Sequence, residues 1–136
     1  MAISRHSLRA EVFKLLYRME FNKEDMDEQL SLYKEIPEKE PLEEEDAAAV
    51  VGRYALCSEK ISEIDAVLSA NLTDWTLDRV GKVELAILRL AVYEMRFDED
   101  IPEGVAMNEA VELAKQYGQE NAGAFVNAVL TKVQKA

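Results

Sequence analysis

Hydrophobic positions recur at three- and four-residue steps along almost the whole chain, and that rhythm predicts helices. The first run is Leu8, Val12, Leu15, Leu16 and Met19, with Ser4 placed to cap its start. Met26, Leu30 and Tyr33 mark a shorter second helix. It must stop before Pro37, because a proline pushes the preceding residue out of the helical region. The stretch from Ile36 to Leu42, with Pro37 and Pro41, reads as a loop. A long helix then starts in the acidic run Glu43 to Asp46, where carboxylates favour the positive end of the helix dipole. Val50, Tyr54, Cys57, Ile61, Ile64 and Leu68 form its apolar seam. The seam is too short for an extended coiled coil and suits antiparallel neighbours in a bundle.

Residues 71–82 read as an irregular connection with one helical turn after Thr76. Residues 83–97, VELAILRLAVYEMRF, are apolar on most of the circumference, so this helix belongs at the centre of a fold. The loop DEDIPEG follows. VAMNEAVELAKQY is a further helix, with Gly118 as its C-terminal cap. The last helix runs from about Asn121 to Val133 and puts Ala122, Val126, Val129 and Val133 on one face. No period-two alternation predicts a strand. The expectation is an all-α fold, one domain over 1–136 with six to seven helices.

Charge changes this picture. The chain carries a formal net charge of -11, but unevenly. Residues 1–23 have five basic side chains against two acidic ones, and residues 24–46 have eleven acidic against two basic. Arg5 and Arg9 fall one turn apart beside the apolar stripe, with His6 nearby, at a helix start whose free amides favour anions. Lys14 and Arg18 pair on the far side. Such an island is either the wet face of a helix or a local polyanion site. Only a local patch, or a partner that brings positive charge, can bind nucleic acid on a chain this acidic.

Chemistry is sparse. His6 is the only histidine, and Cys57, the only cysteine, sits on an apolar seam where a cysteine is usually a small buried hydrophobe. The five glycines are scattered and build no phosphate loop. Residues 43–46 lack the ligand pattern of a calcium loop. We therefore expect no enzyme, metal or cofactor. No apolar run reaches the roughly 18 residues of a membrane span, and no apolar secretion signal opens the chain. With one unpaired cysteine, this points to the cytoplasm. Glu84, Arg89, Tyr93 and Glu94 lie within the apolar central helix, and each charge there must pair internally or reach a surface. Phe125 and Asn127 fall on opposite sides of the last helix, so one of them must leave the core.

ILRLAVYEM (87–95), IPEGVAMNEAVELAKQYG (101–118) and FVNAVL (125–130) resemble the NusB family of bacterial antitermination factors. The opening SRHSLRAEVFKLLYRMEF is similar to that family's arginine-rich first helix, here with two arginines and a histidine. The resemblance implies two small helical bundles packed together, without catalysis. It implies binding of boxA-type single-stranded RNA as a heterodimer with the ribosomal protein NusE. It also implies work within an RNA polymerase antitermination complex on ribosomal RNA operons. Carried over by position, Arg5, His6, Arg9 and Tyr17 meet RNA, while Glu84, Arg89, Phe125 and Asn127 meet NusE or RNA. Ala128 stands where the family usually has glycine. The alternatives are a helical protein adaptor that makes no use of the arginines and an RNA methyltransferase, for which the chain offers no catalytic domain. Monomer and homodimer both suit the pattern.

Overall fold

The computed structural model describes residues 3–32, 43–72 and 76–135, and every regular element among them is a helix. Tyr33 and the expected loop from Ile36 to Leu42 lie outside the described residues. The chain divides after Ser58 into two compact units.

In the first unit, helix α1 covers Arg5–Phe21. The Ser4 hydroxyl accepts a hydrogen bond from the Ser7 amide at 3.1 Å, as the sequence predicts. Such a cap stabilises a helix by about 1 kcal/mol. Val12, Phe13, Leu15, Leu16 and Met19 are buried. The helix ends at Asn22, whose backbone amide and side-chain amide both donate to the Arg18 carbonyl. A single 3-10 turn, Lys23–Asp25, leads into α2, Met26–Leu32. Helix α3, Glu44–Glu59, opens on Glu44, Glu45 and Asp46 and buries Val50, Tyr54 and Cys57.

The long helix expected through Leu68 is two helices. Lys60 leaves helical geometry with φ -103° and ψ 9°, and α4 runs over Ile61–Ala70. The apolar seam is shared between the units: Val50, Tyr54 and Cys57 are buried in the first, Ile64 and Leu68 in the second. At the break, the Lys60 ammonium lies 5.4 Å from the Phe97 ring centre and 3.6 Å from a Glu63 carboxylate oxygen.

In the second unit α5, Lys82–Phe97, is the central element. It contacts α4, α6 (Glu103–Tyr117) and α7 (Ala122–Lys135), and α6 packs on α7. Every residue from Leu85 to Glu94 is buried, the all-round burial its composition requires. Each large apolar side chain sequestered there contributes about 1.5–3 kcal/mol. Arg96 donates to the Val133 carbonyl at 3.0 Å, satisfying one of the carbonyls left open at the end of α7. A 3-10 turn, Leu77–Arg79, precedes α5, where the expected turn after Thr76 lies. The Thr76 hydroxyl donates to the Asp78 carboxylate, which this bond and a backbone amide hold below the usual carboxylate range.

Gly118 does end α6, its amide donating to Ala114 at 2.9 Å, but not in the left-handed conformation of a typical glycine cap. Its φ is -90°. Glycine stands there for space: a Cβ would lie 2.8 Å from the Ala114 carbonyl oxygen, would press on the Ala122 methyl and would sit 3.0 Å from a Glu84 oxygen.

Candidate nucleic-acid interface

The first unit holds the basic island. Arg5 and His6 are exposed at the start of α1, while Arg9, one turn on, is only 7% exposed and makes internal contacts. The two arginines therefore do not form one exposed pair. Arg9 faces inward because it adjoins the apolar stripe, where its aliphatic stem packs at little cost. Lys14 pairs with Glu11 at 3.2 Å. Tyr17 is half-buried and meets Phe21 edge to face at 5.1 Å. Phe21 itself is 57% exposed, which leaves an aromatic surface at the end of the helix. Deeper in this unit, burial raises the pKa of the Tyr54 phenol, with Cys57 and Asp27 adding to the shift.

The second unit separates the four remaining candidates. Arg89 is buried and committed internally. Its Nε donates to Asp65 Oδ1 and its Nη2 to Asp65 Oδ2, both at 2.9 Å. This two-pronged bond from α5 to α4 is the internal pairing that a charge on a buried helix demands. Glu94, 3% exposed, is likewise partnered inside. On α7, Asn127 is exposed and Phe125 half-buried. The opposite-face argument holds, and the amide, not the ring, takes the solvent side.

Phe125 and Glu84 are brought together. They line one cleft of about 460 Å³ between the start of α5 and the α6–α7 connection. Gln119, Asn121, Arg79 and Glu120 line the same cleft, whose charged residues are thus one arginine and two glutamates. Glu84 sits in the first turn of α5, and its oxygens lie against Gly81 and Gly118. A side chain at either glycine would collide with that carboxylate or crowd it, so glycine at both positions leaves it room. Among the described residues, the Glu84 carboxylate has no hydrogen-bond or ion-pair partner. A half-buried carboxylate, an aromatic ring and two amide-bearing residues in one recess can hold a planar, hydrogen-bonding group.

Sequence reading misses Arg79, Gln119 and Asn121 as members of this recess, and Asp65 as the partner of Arg89. No local pattern could have found them, since the recess is gathered from stretches far apart in the chain. Among the described residues no cluster could hold a metal ion, and no helix is long and apolar enough to cross a membrane.

The NusB family model matches residues 6–135. A transcription antitermination protein NusB from Agathobacter rectalis is 43% identical over 131 residues, covering 96% of this chain and 98% of the relative. Among solved structures, T. maritima NusB superposes with a TM-score of 0.84 at 36% identity, over 99% of this chain and 93% of that one. A structure of the antitermination factors NusB and NusE in complex with dsRNA gives 0.83 at 31% identity, over 99% and 98%.

Proposed function

The chain belongs to the NusB family of transcription antitermination proteins, and from that premise we propose that it binds boxA-type single-stranded RNA as a heterodimer with NusE. The complex joins RNA polymerase and promotes read-through in ribosomal RNA operons. The observation that carries this reading is the cleft beside α5 and α7. Its ring, carboxylate and amides offer the stacking and edge contacts by which proteins hold unstacked RNA bases. Arg5 and His6 supply phosphate contacts from the exposed start of α1, and Tyr17 with Phe21 a second aromatic surface. Arg9 and Arg89 then act in folding: one is buried, the other is held by Asp65. The acidic body favours encounter with a basic ribosomal protein and disfavours indiscriminate RNA binding.

The relative solved with NusE carries duplex RNA, so strandedness is part of the test. Fluorescence anisotropy of a labelled boxA-type RNA is titrated with the protein alone, then with NusE present, against single-stranded and duplex competitors. Tight binding only with NusE, displaced by the single strand far better than by the duplex, supports the proposal. Phe125→Ala should then weaken binding about fivefold or more, since one stacked base is worth about 1–3 kcal/mol. NusE captured with no RNA bound in any form would leave a protein adaptor. Read-through of a terminator in a reconstituted transcription reaction, with and without NusE, tests the step on RNA polymerase.

A further inference from the structure

Gly81 is the N-cap of α5, yet nothing in the local backbone calls for glycine there. Its φ of -55° and ψ of 144° are open to any residue. Serine, aspartate or asparagine would cap the helix at least as well, because each brings a side-chain acceptor for a free amide of the first turn. What glycine supplies is space, and Glu84 fills it. A Cβ at position 81 would overlap a Glu84 carboxylate oxygen, with the carboxyl carbon 3.3 Å away, and among the described residues no group beyond its chain neighbours lies within 4 Å. At Gly118 the space is shared, since a Cβ there would also strike the Ala114 carbonyl and the Ala122 methyl. Gly81 alone answers only to Glu84.

Resting on the RNA-binding reading above, we propose that Gly81 is a positioning residue of the RNA cleft. Having no side chain, it lets the Glu84 carboxylate fold back against the start of α5 and keeps that charge out of the path of the RNA. The first turn of α5 suits a negative group, because its amides lack partners within the helix. The same carboxylate lines the cleft, whose other charges are Glu120 and Arg79, and Arg79 already has a partner. Two carboxylates on one wall oppose a polyanion. Drawn back against position 81, one of them is compensated by the helix start. Driven off by a side chain there, it adds an uncompensated charge beside Glu120, on the wall that the RNA must meet.

The test uses the full chain saturated with NusE and a short labelled boxA-type RNA, with thermal unfolding measured alongside. Gly81→Ser should leave the unfolding midpoint unchanged or raise it, since serine caps the helix. RNA affinity should nevertheless fall about two- to fivefold, the worth of one charge at a helix start. Gly81→Ala, which carries the Cβ without the hydroxyl, should weaken RNA binding as much as serine does. In a Glu84→Ala background no carboxylate remains to be displaced, so adding Gly81→Ser should change RNA affinity no further. A fold defect cannot produce that set of results. Equal affinity of Gly81→Ser and the unaltered protein overturns the proposal while leaving RNA binding intact, and so does a loss that persists in the Glu84→Ala background. If both position-81 variants unfold, the glycine serves the fold and the proposal fails. It fails too if NusE capture falls while RNA affinity holds, because the carboxylate is then placed for the protein partner. Binding of no RNA by the unaltered protein with NusE instead overturns the RNA reading itself.

Discussion

Replacing Asp65 with Ala isolates what the buried charge on α5 needs. The Arg89 side chain is 7% exposed, that of Asp65 25%, and two bonds of 2.9 Å join them. Removing one partner of a fully buried pair costs about 3–5 kcal/mol, because the remaining charge stays desolvated. Asp65 is a quarter exposed, so water can enter the gap it leaves, and a cost of about 2–4 kcal/mol is the fitting range. Against a typical total of about 5–15 kcal/mol, that is a large fraction. At about 3–5 °C per kcal/mol for a chain of this size, Tm should fall by roughly 6–20 °C. Urea titrations followed by far-ultraviolet circular dichroism measure the change, with Arg89→Met and the double variant D65L/R89M as companions. The double variant should be more stable than either single one, since an apolar pair leaves no buried charge behind. A loss below about 0.5 kcal/mol for Asp65→Ala, the range of ordinary surface changes, would refute the reasoning. It would return Arg89 to the surface role that its place in the family suggests.

Gly118→Ala forces a methyl against the Ala114 carbonyl and the Ala122 side chain; we expect about 1–3 kcal/mol of destabilisation, read from the urea midpoint. Arg5→Ala should flatten the log-log salt dependence of RNA affinity by about 0.7, the value of one phosphate contact on a single strand. Arg9→Ala should leave that slope unchanged and lower stability instead, because Arg9 is buried. Tyr54 titrates above its ordinary value of 10.0 in the fold because burial disfavours the phenolate. The unfolded chain loses that proton first as pH rises, so the contribution is complete below about pH 10 and is lost as pH climbs through the raised value. Urea midpoints across the alkaline range should fall, and should fall less steeply in Tyr54→Phe.

Helix identity was legible in the chain because it depends on local spacing and caps. Ser4, the Leu8-to-Met19 stripe, the apolar circumference of residues 83–97 and the face of α7 each appear where periodicity puts them. The resemblance carried the family, which the comparisons bear out. What periodicity cannot carry is direction and partnership. A seam that runs unbroken from Val50 to Leu68 does not say that the helix breaks at Lys60 and serves two units, since the spacing is the same on both sides. A basic residue beside an apolar stripe can turn inward or outward, and only packing decided that Arg5 is exposed while Arg9 is buried. Arg89 and Asp65 stand 24 positions apart, too far for any local pattern to join them. The cleft gathers Arg79, Glu84, Asn121 and Phe125 from separate stretches of chain. Which segments coil and which faces shun water can be read along the chain, because those are properties of neighbouring residues. Which charges the fold consumes and which remain for a ligand emerges only on packing, because it depends on what distant segments bring within hydrogen-bond reach.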